Sequence, residues 1–192
     1  MSDVHTADAG LYIPLTDGDL ALVPLTEAHR EPLRAVCAED DAIWDIYPVT
    51  YQGAAFDAQF DGLLQGGGGL RGRAGRRVYA MTQAGAVVGM TAWIEQGQAG
   101  WSIEIGNTFV APRLRGSGLN GRVKRMMLDH AFACGLERVG FKVDVRNTRS
   151  QAAVAKLGAT REGVLRHERK TWTGHVRDTV SFSVLRNEWL NR

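Results

Sequence analysis

Apolar residues recur along this chain at two different spacings, and the switches between them predict its elements. Alternation argues for strands, and apolar positions three or four apart argue for helical faces. A strand over 20–25 opens the pattern and passes through Thr26, a residue type suited to an N-cap, into a helix over about 27–36. Phe56, Phe60, Leu63 and Leu64 have the spacing of one helical face, predicting a helix over 56–64. Runs at 78–82 and 86–94 flank Gln83-Ala84-Gly85 and predict a hairpin. The next strand runs from Trp101 to about Val110 and is stopped by Pro112. A helix over about 119–134 follows, with Leu119, Val123, Met126, Met127 and Ala131 suited to one buried face. Its methionines read as core packing. Val139, Phe141, Val143 and Val145 alternate with polar neighbours in a strand over 139–145. A helix over about 150–157 ends near Gly158, and strands over 164–172 and 176–185 form a closing hairpin across Thr173-Gly174-His175.

Hairpins first, then strand–helix–strand, predict an α/β (α+β) fold: a mixed, mostly antiparallel central sheet flanked by helices. With 192 residues, no internal repeat and no second hydrophobic pattern, residues 1–192 are expected to form one domain. The glycine-rich stretch at 66–75 breaks all periodicity and reads as a solvated loop. Phosphate binding there is the weaker alternative, since no helix clearly follows it.

The composition, 44% hydrophobic and 23% charged, is ordinary for a globular protein. No apolar run approaches the ~20 residues that cross a bilayer, and the polar, acidic start at Met1–Asp8 is not that of a signal peptide. A membrane partner is therefore not expected. Cys37 and Cys134 stand far apart with no CxxC or histidine-rich neighbour, which favours reduced thiols in a cytoplasmic protein over a metal site or a disulfide. The net charge of +2 conceals an asymmetry: residues 1–65 hold twelve acidic and two basic residues, leaving nine acidic and 21 basic for the rest. The basic part points either to a polyanionic partner, nucleic acid or a phosphorylated cofactor, or to a solvated cationic face.

One passage carries sharper chemistry. Val110-Ala111-Pro112-Arg113-Leu114-Arg115-Gly116-Ser117-Gly118-Leu119 lies between a predicted strand and the longest predicted helix. A helix start exposes backbone N–H groups that lack intrahelical partners, and it carries partial positive charge. Glycines let that backbone approach a ligand, so such a turn can cradle a pyrophosphate, with Arg113 and Arg115 adding charge beside it. The bland reading is a glycine-rich connector.

Arg113-x-x-Gly116-x-Gly118 resembles the acetyl-coenzyme A signature of the GNAT superfamily, Gln/Arg-x-x-Gly-x-Gly/Ala. Asn147-Thr148-Arg149-Ser150 and Lys156-Leu157-Gly158-Ala159 look like the Asn-x-x-Ser…Lys-x-Gly-Phe passage of its RimJ/RimL-type branch, with Ala159 where an aromatic often sits. Val176-Arg177-Asp178-Thr179-Val180 in the final hairpin is also similar. The resemblance covers a core of about 20–189. It implies a GNAT fold, acetyl-coenzyme A as acetyl donor, no metal, and a primary amine as acceptor: a protein N-terminus, an amino acid or another small amine. By position, it assigns the pyrophosphate to the amides of Arg115, Gly116, Ser117 and Gly118. Phe109 and Val110 would pair with the pantetheine arm, and Asn147 would bind near the thioester while also capping its helix.

An alkyl amine, with a reference pKa near ~10, must lose a proton before it attacks a thioester. Glu104 is the candidate base. Alternation sets Trp101, Ile103 and Ile105 on one face and Ser102, Glu104 and Gly106 on the other, so a carboxylate falls within a buried-looking strand. An ion pair with an arginine explains it equally well. Glu168 is a second candidate, read as a surface hairpin residue. Ser150 is the acid candidate, because RimL-like enzymes place a serine there; a hydroxyl serving the helix start is the alternative. Many GNAT members use a tyrosine in this region, and the chain has none after Tyr79. His130, His167 and His175 need no catalytic role. The rival to an enzyme is a non-catalytic acyl-coenzyme A sensor. A nucleic-acid binder finds little support, since no aromatic residues interleave with the loop arginines. A homodimer is an admissible assembly.

Overall fold

The computed structural model describes residues 10–66 and 75–192. Among these, eight strands form one sheet: β1 (Leu15–Asp17), β2 (Leu20–Pro24), β3 (Arg76–Gln83), β4 (Ala86–Glu95), β5 (Ser102–Val110), β6 (Arg138–Asp144), β7 (Thr160–Lys170) and β8 (Val176–Leu185). Their order across the sheet is β1-β2-β3-β4-β5-β6-β8-β7. Every neighbouring pair is antiparallel except β5 and β6. A parallel pair needs a crossover, and α3 (Leu119–Ala133) supplies it. This is the mixed, mostly antiparallel α/β fold that the sequence predicts.

Helices cover both faces. On one, α3 and α4 (Thr148–Ala155) bury Leu119, Val123, Met127, Phe132 and Val154 against Tyr79, Trp93, Ile103, Ile105, Val139 and Phe141. On the other, α1 (Arg30–Cys37) and α2 (Phe56–Leu64) bury Leu33, Val36, Phe56 and Phe60 against Val78, Met90, Ala92, Ile94 and Phe109. The short α5 (Arg186–Leu190) ends the chain's helices.

Strand β5 belongs to both cores, and parity shows how. Ile103 and Ile105 enter the first core, whereas Phe109, also odd-numbered, enters the second. An extra residue intervenes. Pairing with β4 runs Ala92↔Gly106 and then Met90↔Phe109, so Thr91 alone stands opposite Asn107 and Thr108. Asn107 takes φ 49, the left-handed region that such a bulge requires and that asparagine tolerates.

Several boundaries differ from those expected. The segment after Thr26 begins as a 3₁₀ turn, Glu27–His29, because His29 Nδ1 accepts the Thr26 N–H at 3.0 Å and α1 starts only at Arg30. Strand β1 carries no legible pattern in three residues. Trp101 lies before β5 and is exposed, and Val145 is exposed past the end of β6. Strand β7 begins at Thr160, where an exposed edge has no apolar alternation to mark it. Residues 67–74 of the glycine-rich stretch at 66–75 and all of the acidic start, Met1–Asp8, lie outside the described residues.

Candidate active site

Strands β5 and β6 pair only through Ser102↔Arg138, Ile103↔Val139 and Glu104↔Gly140. Beyond Glu104 the bulge redirects β5, while β6 continues its ladder with β8 on the other side. The two strands part, and the β5 backbone from Ile105 to Val110 is left without a strand partner on its β6 side. Phe109 and Val110 stand at the far end of this wall. The Phe109 ring is core, stacked on Trp44 at 4.7 Å.

The turn joining β5 to α3 stands at that end. Gly116 and Gly118 have φ of 84° and 88°, and a Cβ at either would meet nothing within 4 Å. The N–H groups of Arg115 and Ser117 close local turns on Pro112 O (3.1 Å) and Leu114 O (3.4 Å). Among the described residues, those of Gly116 and Gly118 take no partner. Ser117 Oγ donates to Leu114 O and accepts the Leu119 N–H, stabilising the helix start. Open glycine amides at the positive end of a 15-residue helix fit a pyrophosphate.

The arginines of the turn are not free to serve it as expected. Arg113 pairs with Glu39, and Arg115 pairs with Asp40 while donating to Val110 O and lying over the Phe109 ring. Asp17 and Asp19 similarly hold Arg122 on α3. Part of the charge asymmetry read from the sequence is thus answered within the fold: Glu39, Asp40, Asp17 and Asp19 of the acidic N-terminal part pair with Arg113, Arg115 and Arg122 around the turn and the helix it opens.

Glu104 sits at the vertex where the strands part and is 5% exposed. A Cβ at Gly106 would come 3.2 Å from its Oε1, so the two share a face as predicted. With its amide nitrogen toward the carboxylate, Gln96 donates to Glu104 Oε2 and accepts from Lys142 Nζ, each at 3.0 Å. Arg169 and Arg177 set positive charge against Glu104 as well. The carboxylate is therefore embedded in an ionic network. Glu168 is not a surface residue. A bulge with His167 at φ 49 turns it inward, where it bonds Arg169, accepts from Thr179 Oγ1 at 3.2 Å and lies 3.9 Å from Lys142. Burial acts to raise its pKa, but Arg169, with Lys142 and Arg177, prevails and holds it at about 2.

Asn147 caps α4, its Oδ1 accepting the Ser150 N–H at 3.0 Å. The Ser150 hydroxyl, half-exposed on the first turn, bonds to none of the described residues. It does not perform the helix-start role that the sequence allowed.

Sequence reasoning missed three groups. No tyrosine follows Tyr79, yet the fold returns two from the N-terminal third to the bulge: Tyr47 donates to Thr108 O, and Tyr51 donates to Asn107 Oδ1 at 3.2 Å. Burial raises both pKa values, Tyr51 to about 12. The third is Lys124 on α3, 5% exposed, whose amine bonds Thr91 and Thr108. A lysine three residues before Met127 on the buried stripe was the available signal.

Among the described residues, no helix is long and apolar enough to cross a membrane, and no three metal-ligating side chains cluster. The family described as Acetyltransferase (GNAT) domain matches residues 19–160, and the chain belongs to it. Members of this family move an acyl group from acetyl-coenzyme A, and the chain is accordingly an acetyl-CoA-dependent N-acetyltransferase. No curated protein matches the chain. Among solved structures, one from T. thermophilus, assigned as an acetyltransferase, is 34% identical with a TM-score of 0.80, covering 93% of this chain and 92% of that one. A GNAT-family protein from Chromobacterium violaceum ATCC 12472 is 27% identical with a TM-score of 0.81, over 93% and 88%. RimJ of Mycobacterium smegmatis, in complex with CoA-disulfide, is 22% identical with a TM-score of 0.73, over 91% and 87%, a likeness of fold alone.

Proposed function

We propose that this enzyme acetylates a primary amine by direct attack, with both substrates held at the parting of β5 and β6. The observation that carries the reading is the alignment of three features along that gap. Open amides at Gly116 and Gly118 stand at one end, an unpaired β5 edge runs between, and Glu104 lies at the vertex.

In this reading the pyrophosphate of acetyl-CoA lies against the 115–118 turn, chiefly on the Gly116 and Gly118 amides. The backbone of Phe109 and Val110 pairs with the pantetheine arm, and Asn147 and Ser150 flank the reacting end from α4. Acetyl-CoA supplies an activated thioester. The protein's part is to place an amine against it, since holding two reactants in line removes much of the barrier. Glu104 accepts the amine's proton, directly or through water, and free β5 N–H groups receive negative charge developing on the carbonyl oxygen. Ser150, whose hydroxyl is unengaged, would donate to the leaving sulfur. Glu168, ionised and bonded to Arg169, is the poorer base.

The passage from Asn147 to Ser150 and Lys156 to Gly158 supports a place in the RimJ/RimL-type branch, hence a peptide N-terminus or small amine as acceptor. Free Cys37 and Cys134 accord with work in the cytoplasm. One observation favours the second reading, a non-catalytic acyl-CoA sensor: Glu104 is already engaged by Gln96 and faces two arginines. A turnover screen with acetyl-CoA against amines and N-terminal peptides decides. Acetylation of at least one class supports the enzyme; tight acetyl-CoA binding without acetylation of any supports the sensor.

A further inference from the structure

Lys124 lies in the second turn of α3 among buried Leu119, Val123, Met127 and Leu128. An amine this deep ordinarily meets a carboxylate, because an unpaired buried charge is costly. Here its bonding partners are two hydroxyls, Thr91 Oγ1 at 3.0 Å and Thr108 Oγ1 at 2.5 Å. Those two residues face each other across the β4–β5 register slip, their oxygens 2.9 Å apart. Thr108 Oγ1 also reaches Gly106 O at 3.3 Å. The opposite face of the same bulge is held by Tyr47 on Thr108 O and Tyr51 on Asn107. A neutral amine has two N–H groups, matching the two hydroxyl acceptors. Burial lowers the Lys124 pKa to about 7, with no acid opposing it.

Resting on the cleft assignment above, we propose that Lys124 is a positioning residue for acetyl transfer. Its bonds to Thr91 and Thr108 fix the bulge that redirects β5, and so set where the β5 edge holds the reacting end of acetyl-CoA. The pyrophosphate turn lies outside this network, so loss of Lys124 displaces the thioester more than it weakens cofactor binding.

The test compares the full-length wild type with Lys124→Met, Thr108→Val and Thr108→Ser, using the best amine from the screen. Melting curves, calorimetric Kd for coenzyme A, kcat and KM are the readouts. Lys124→Met should stay folded with an undiminished Tm and keep its Kd within about threefold, while kcat falls about ten- to a hundredfold, the scale of a small misplacement. Thr108→Val should share that loss, and Thr108→Ser, which restores the hydroxyl, should recover most of it. Wild-type kcat in Lys124→Met, a loss that only tracks Tm, or equal damage from the serine and valine variants overturns the proposal. A wild type that binds no coenzyme A overturns the cleft assignment itself, and the proposal with it.

Discussion

The indole N–H of Trp172, at the tip of the β7–β8 hairpin, donates to the backbone carbonyl of Trp44 at 2.8 Å. The Trp172 backbone N–H also reaches Pro48 O at 3.1 Å, and Arg146 Nη2, past the end of β6, reaches Asp45 O at 3.2 Å. Residues 39–51 thus form a strap tied to the hairpin, to β6, to the β5 bulge through Tyr47 and Tyr51, and to the 113–118 turn through Arg113 and Arg115. Its Trp44 and Tyr51 pack in the second core, on the face where the proposed mechanism has the acceptor amine approach Glu104.

Trp172→Ala should therefore act on the acceptor. One lost hydrogen bond costs about 0.5–1.5 kcal/mol, a modest fall in Tm. The acceptor KM should rise severalfold while the acetyl-CoA KM stays put. Steady-state kinetics with each substrate varied in turn checks this; a change confined to acetyl-CoA would show that the strap serves the donor.

Acetyl-CoA should raise the melting temperature, since a ligand bound only by the native state stabilises it by about 2.7 kcal/mol at a hundred times Kd. Gly118→Asp should abolish that rise. Its φ of 88° strains any side chain by about 1–2 kcal/mol, and the new carboxylate would stand at the turn proposed to hold the pyrophosphate. An unchanged calorimetric Kd would make the turn a connector only.

Glu104→Gln should lower kcat by about 10²–10⁴-fold if the carboxylate takes the amine's proton. The loss should shrink at high pH, where more of the amine is already neutral. A purely ionic role predicts otherwise: a lower Tm, because Arg169 and Arg177 lose a counter-charge, with near-normal turnover per folded molecule. Rate–pH profiles beside melting curves distinguish the two.

Lys124 should leave a mark on stability against pH. Its folded pKa, near 7, lies below the ordinary lysine value, so between those limits the unfolded chain binds more protons than the native one. Stability then rises with pH from about 7 toward about 10. Below 7 both states are protonated and the full burial penalty remains. Lys124→Met removes the penalty, so its advantage over wild type should be greatest below pH 7 and fade as pH rises. Denaturant titrations between pH 6 and 9 read this directly; a constant gap would place the amine in a wetter site than the structure shows.

Much of the architecture was legible because it rests on local repetition. Phe56, Phe60 and Leu63 mark α2 by their spacing, Val139 and Phe141 mark β6 by alternation, and the glycines at 116 and 118 announce an open turn before a long helix. Short or edge elements such as β1 and the start of β7 have too few buried positions to leave a period.

What the sequence determined by itself was the order of the longer elements, the mixed sheet flanked by helices and the open glycine turn before the long helix, because each follows from neighbours within a few residues. Tertiary structure alone decided which distant side chains meet. It brought Tyr47 and Tyr51 to a bulge some sixty residues on (|i−j| of 61 and 56). It set Glu39 and Asp40 on Arg113 and Arg115, turned Glu168 inward, and buried Lys124 between two threonines. The bulge at Asn107 reverses side-chain parity partway along β5, so odd-numbered Ile103 and Ile105 face one core and odd-numbered Phe109 the other. Parity depends on pairing with β4, and a strand read alone contains no record of its partner's register.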